Sequence, residues 1–167
     1  MIINEYKAFE PLVAVDDLLP MLDQISIFGG LTEPQLYKVL KRLKRVHYAR
    51  QELIFRQGDQ PSNIYIVISG RVRLVFDIDK HPLSKGEFGP GACFGETAVI
   101  GIQSHSVSTL AVEPTELMVL SKEALMSLFE EEVEVFSRLI LNIAREASRR
   151  LHKTDELLLH YIHDHDQ

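Results

Sequence analysis

The stretch Phe94-Gly95-Glu96-Thr97-Ala98-Val99-Ile100 joins a glycine turn, one carboxylate and a run of helix-compatible residues. A strand that ends at such a turn and passes into a short helix leaves its first backbone N–H groups without intrahelical acceptors. Those at Gly95, Glu96, Thr97 and Ala98 would form a cradle for an anion. Glu96 has two readings, a carboxylate that contacts a ligand or a carboxylate that caps the positive end of the short helix. Both need the same place, so both stay open. His105 and Ser106 follow at nine and ten residues beyond Glu96. The first is an imidazole about one quarter protonated at pH 7, the second a hydroxyl donor.

Other reactive side chains carry less. Cys93 beside Phe94 reads as a small core residue in preference to a redox or haem ligand. His160, His163 and His165 alternate with Asp164 and Asp166 at the C-terminus. Imidazoles three residues apart can share a helix face and a metal, but a terminus without supporting groups reads as a solvated tail. A metal enzyme on a β-barrel needs a close His-x-His pair with a following Glu, whereas residues 51–120 hold only His81 and His105. No nucleophile has an evident base. The expectation is therefore no metal, no catalytic residue and no enzyme.

What must hold these groups is about one domain of chain, 167 residues with a formal net charge of −6. That sign opposes neutralisation of a phosphate backbone, so nucleic-acid binding is not expected. The single cysteine, the lack of a basic and apolar leader and the lack of an apolar run of about 20 residues predict a soluble, cytoplasmic chain with no membrane role.

Three zones predict a single domain over 1–167, with an N-terminal helical part (1–50), a β-barrel (51–120) and C-terminal helices (121–167). In the first, the pattern predicts helix from about Ala14 to Val46, broken at Pro20 and Gly29-Gly30. A capping box at Thr32 and Gln35, with Pro34 in the first turn, opens its main helix. Lys38, Lys41, Arg42, Lys44 and Arg45 then read as a solvated basic face. In the second, short β-rich runs at Glu52 to Phe55, Ile64 to Ile68, Val72 to Phe76, Leu83 to Phe88, Ser106 to Val112 and Glu116 to Leu120 alternate with Gly, Pro, Asn and Asp. In the third, Ser121 caps a stretch without Gly or Pro that should be helical to its end, with at most one bend. Phe136, Ile140, Ala144, Ala147, Leu151, Thr154, Leu158 and Tyr161 recur in steps of four and three, the seam of a coiled-coil homodimer. Packing of that stripe back onto its own barrel is the alternative.

The order and separation of Gly58-Asp59, Ser69-Gly70, Gly89-Pro90-Gly91 and Phe94-Gly95-Glu96 resemble the cyclic-nucleotide-binding domain of catabolite-activator-type regulators and protein kinase A regulatory subunits. The resemblance spans about Ile25 to Ile162. It implies a mainly β fold, a double-stranded β-helix or jelly roll, with N-terminal helices and a long C-terminal dimerisation helix.

It also implies that residues 94–100 form a phosphate-binding cassette, in which Glu96 accepts from the ribose 2′-hydroxyl and the amides of Gly95 to Ala98 face a cyclic phosphate. Many members grip that phosphate with an arginine where His105 stands, a permanent planar fork that an imidazole does not replace. Ser106 can still donate one hydrogen bond. The catabolite-activator type carries a Thr-Ser pair that reaches the base, and here it reads Thr154-Asp155. The expected ligand is cyclic AMP, cyclic GMP or another small anion. Since a DNA-binding segment would follow the long helix, the expectation is a stand-alone sensing module that acts on an unknown protein partner. A ligand-free interaction module that keeps only the fold is the alternative.

Overall fold

The computed structural model describes residues 7–12 and 18–165. Its elements run β1 (Glu10–Pro11), α1 (Leu19–Leu22), a 3-10 turn at Ser26–Phe28, α2 (Glu33–Leu40), β2 (Lys44–Tyr48), β3 (Leu53–Phe55), β4 (Asn63–Ser69), β5 (Val72–Phe76), β6 (Leu83–Phe88), β7 (Cys93–Phe94), α3 (Glu96–Gly101), β8 (Ser108–Ala111), β9 (Thr115–Ser121), α4 (Lys122–Glu131) and α5 (Val133–His165). Antiparallel pairing gives one sheet in the order β1-β2-β9-β4-β7 and a second in the order β3-β8-β5-β6. The fold is thus mainly β, a jelly roll with flanking helices and a long C-terminal helix.

The apolar run in β4 is continuous because both of its faces are buried. Ile64 and Ile66 join a core shared with Leu40, Leu128, Leu139 and Ile143 of the helices. Tyr65 and Val67 turn the other way, into the interior between the sheets with Tyr48, Val72, Phe94, Ala111, Leu117 and Val119. The turn after β4 admits only glycine. Gly70 has φ +82°, and a Cβ there would lie 2.4 Å from the Pro114 carbonyl oxygen.

Local signals open the helices where the sequence places them. Gln35 N–H donates to the Thr32 hydroxyl at 3.4 Å, and the Gln35 side chain accepts the Thr32 N–H at 3.0 Å. Ser121 caps α4 by accepting from Ala124 N–H at 3.1 Å. The single bend of the C-terminal zone falls at Glu132, whose backbone leaves the helical region (φ −141°, ψ 56°) between α4 and α5.

The N-terminal helical zone is shorter than the sequence pattern predicts. Its expected start at Ala14 lies outside the described residues. Its end is corrected, because α2 stops at Leu40 and Lys44–Tyr48 is a strand paired with β9. Buried Val46 and Tyr48 alternate there with outward Arg45 and His47, a period of two that competes with the helical reading of the same apolar positions. The basic run is not simply a solvated face either. Lys38 pairs with Glu132 and Arg42 with Glu131, each at 2.7 Å, and Arg45 pairs with Glu116. The acidic residues that take these charges lie about 70 to 95 positions away in the chain.

α5 is tied down over its first half by Leu139 and Ile143 in the core, and by Asn142. The Asn142 amide donates to the carbonyls of Ile27 at 3.0 Å and Gly29 at 2.7 Å. Residues 151–160 are exposed throughout. Among the described residues, no helix is long and apolar enough to cross a membrane.

Candidate ligand-binding site

β7 delivers the chain to Gly95, which adopts φ +82° and caps α3. A Cβ at Gly95 would sit 3.0 Å from the Asn63 carbonyl oxygen and 3.4 Å from the Tyr65 ring. Glycine is therefore required both for the turn and for the close approach. The next residue, Glu96, is only 2% exposed. Burial pushes its carboxyl above the ordinary carboxylate range, and the Arg150 guanidinium and the backbone amide of Glu96 itself oppose that rise. Thr97 is exposed and Ala98 is buried.

Arg150 is the residue that reading the sequence missed. From α5 it donates through Nη1 to Glu96 Oε1 at 2.7 Å and through Nη2 to the Cys93 carbonyl, while Nε lies 3.3 Å from Glu146 Oε1. The guanidinium also covers the Phe88 ring, 4.6 Å from its centroid, a cation–π placement. A signal for it existed. A glutamate buried at the head of a cradle needs a cation, and Arg150 stands four residues before Thr154, on the same face of a helix.

His105 is brought beside the cassette. A Cβ on Gly95 would lie 3.8 Å from its Cε1. The backbone is clamped, since His105 N–H donates to the Asp59 carbonyl at 3.0 Å and its own carbonyl accepts from Gly58 N–H at 2.8 Å. The ring stacks on Phe55 with centroids 3.7 Å apart and planes 11° from parallel. Phe55 in turn lies 5.9 Å from Tyr65 and 6.0 Å from Phe94, so His105 forms one wall of an aromatic group beneath Gly95. Burial lowers the imidazole's proton affinity, with Asp59 opposing. The side chain is therefore less charged at neutral pH than an exposed histidine, which widens its difference from an arginine.

The remaining candidates are not gathered into the site. Ser106 is exposed next to buried His105. Thr154 is exposed one turn beyond Arg150, and its hydroxyl donates to the Arg150 carbonyl at 2.9 Å. Asp155 is exposed as well. Among the described residues, neither Thr154 nor Asp155 bonds to residues 95–98. Cys93 is buried, and burial pushes its thiol well up, away from a reactive thiolate. Among the described residues, no group of three His, Cys, Asp or Glu side chains is arranged to hold a metal ion. Of the terminal run, Asp166 lies outside the described residues.

A jelly roll with a glycine-turned short helix and a long C-terminal helix is the architecture of a regulatory domain. The chain belongs to the cyclic nucleotide-binding domain family, which matches residues 45–132. It is 32% identical over 130 residues to the cyclic AMP receptor protein of Thermus thermophilus, covering 77% of this chain and 58% of that one. The crystal structure of the Thermus thermophilus catabolite activator protein superposes with a TM-score of 0.71 at 31% identity, over 80% of this chain and 61% of the other. A cyclic nucleotide-binding domain from Methylobacillus flagellatus shares the fold with a TM-score of 0.76 at 21% identity, over 86% and 82% of the two chains. The chain thus spans less than two thirds of the length of the curated relative.

Proposed function

We propose that this chain is a cyclic-nucleotide-sensing regulatory module without catalytic activity of its own. The observation that carries the reading is the buried Glu96, held from α5 by Arg150 at 2.7 Å. A ligand hydroxyl arriving at Glu96 must share the carboxylate with Arg150, so occupancy of the cassette bears directly on the helix. The amides of Gly95 to Ala98 face the cyclic phosphate, Glu96 with Arg150 meets the ribose, and His105 lies on the phosphate side. The site is atypical in offering a buried, stacked imidazole where a permanent charge is usual.

The exposed apolar positions of α5 support a parallel homodimer. Leu151 is 63% and Leu158 56% exposed, on one stripe with Ala144, Ala147 and Thr154. In such a dimer Thr154 and Asp155 lie along the shared seam, where they can approach a base. Cytoplasmic location, action on a protein partner and no contact with nucleic acid complete the proposal. The first rests on the chain's single cysteine and the last on its acidic balance.

A specific observation favours a second reading, a ligand-free interaction module. The Phe55–His105 stack occupies space beside Gly95 and supplies no fixed charge. Thermal unfolding with cyclic AMP, cyclic GMP and inorganic phosphate separates the two. A nucleotide at 100 times its dissociation constant adds about 2.7 kcal/mol of stability. No shift with either nucleotide at millimolar concentration rejects the sensing role.

A further inference from the structure

Thr109, in β8, is 0% exposed, and its hydroxyl has no hydrogen-bond partner. Two other buried polar atoms share that description among the described residues, Arg45 Nε and Glu116 Oε1, but they are ion-paired with each other. Thr109 is left with nothing. Buried hydroxyls are otherwise nearly always satisfied, because an unpaired one keeps the full cost of leaving water.

The registers show where this hydroxyl belongs. Thr109 pairs with Phe55 on one side and Leu74 on the other. Ala111, two residues on, pairs with Val72, and both belong to the interior cluster between the sheets, against which Phe55 also packs. The neighbours of opposite parity, Leu110 and Val75, belong to a separate cluster with Leu53. Thr109 therefore faces the barrel interior, in a wall otherwise built of Val72, Leu74, Ala111 and Phe55. Phe55 connects it to the cassette, since its ring stacks on His105, which borders Gly95.

We propose that the Thr109 hydroxyl is a hydrogen-bonding contact for the bound nucleotide, donating to an acceptor atom on the part of the ligand that enters the barrel. The proposal rests on the reading of this site as a nucleotide pocket. An apolar wall with a single hydroxyl suits a planar, mostly apolar ligand body with one correctly placed acceptor. It also makes Thr109 a specificity residue, because a ligand without that acceptor leaves the hydroxyl unpaired.

Thr109→Val tests this with two readouts of opposite sign. Valine keeps the shape and removes the hydroxyl. The variant should unfold at the same temperature as the natural protein or higher, and in titration calorimetry should bind cyclic AMP or cyclic GMP about 2- to 10-fold more weakly. Thr109→Ser keeps the hydroxyl and should retain affinity while losing stability. A valine variant that binds as the natural protein does overturns the proposal, and a valine variant that loses stability with unchanged affinity assigns the hydroxyl to folding and overturns it as well. If the natural protein binds neither nucleotide, the pocket reading fails and this contact fails with it, whereas binding unaffected by Thr109→Val removes this contact alone.

Discussion

Arg150 and Glu96 meet at 2.7 Å across 54 positions of sequence, and their pairing fastens α5 to the cassette. Only one end of the pair is wet. Glu96 is 2% exposed, whereas the Arg150 side chain keeps 28%.

Removing the cation therefore strands a buried carboxylate. Arg150→Met should destabilise the protein by about 3–5 kcal/mol at pH 7.5, the usual cost of breaking one side of a buried pair. The loss should shrink on acidification. The folded-state carboxyl is already displaced upward by burial, and without Arg150 it rises further. The folded state then binds a proton more readily than the unfolded one, so the variant gains stability as pH falls from its folded value toward the ordinary carboxylate range. Glu96→Gln combined with Arg150→Met should recover much of the loss at pH 7.5. Denaturant unfolding at pH 5 and 7.5 checks both statements, and an equal loss at the two pH values would show that Glu96 is not the group left unpaired.

Much of this fold is legible in the chain because its signals are local. The Thr32 box, the Ser121 cap, the glycine at position 95 and the β-rich runs each act within a few residues. β2 was hidden because Val46 and Tyr48 follow apolar residues that continue a helical spacing, and only pairing with β9 decides between the periods. The site was legible only in part for the same reason. Glu96 is marked by its place at the glycine turn and His105 by the resemblance to the family, but Arg150 acquires its role from a partner that no short window contains. The failure of Thr109 to find a partner is a property of the assembled interior alone.

Ile102 closes α3 with φ 52° and ψ 48°, a left-handed conformation that strains a β-branched side chain. The residue is 81% exposed, so little burial offsets the strain. Left-handed backbone costs an L-residue roughly 1–2 kcal/mol, part of which glycine gives back through its greater unfolded entropy. Ile102→Gly should stabilise the protein by up to about 1 kcal/mol and raise the unfolding midpoint by about 2–4 °C. A lower midpoint would mean that the Ile102 side chain is held by contacts outside this protomer.

The proposed dimer seam is best tested at positions the chain's own core does not cover. Ile140 is half-buried against the helix-facing core, so a charge there would damage folding as well as association. Leu151 and Leu158 are free of that confusion, being 63% and 56% exposed. Leu151→Glu with Leu158→Glu should yield a folded monomer in sedimentation, with the circular dichroism of the barrel unchanged. A natural protein that is already monomeric at tens of micromolar would remove the dimer proposal.

If the chain binds a cyclic nucleotide as proposed, His105 should set the strength and the pH dependence of that binding. Burial against Phe55 lowers the folded-state proton affinity below that of a free histidine, which has two consequences of opposite sense. Without ligand, the unfolded chain takes up a proton at His105 first as pH falls below about 6.5, so stability present above that value is lost as pH falls toward the folded value. With ligand, a cyclic phosphate keeps its negative charge across this range and favours the imidazolium, so binding draws a proton in and affinity rises between pH 7.5 and 6. His105→Arg supplies the charge permanently. It should bind cyclic AMP about 10- to 150-fold more tightly than the natural protein at pH 7.5, the worth of one charge-assisted hydrogen bond, and should lose the pH dependence. Titration calorimetry on both proteins at the two pH values, in buffers of different ionisation enthalpy, measures affinity and proton uptake together. Tight, pH-independent binding by the natural protein would show that the phosphate does not meet His105, and an arginine variant without gain would show that the Phe55 stack, not the missing charge, limits entry to the pocket.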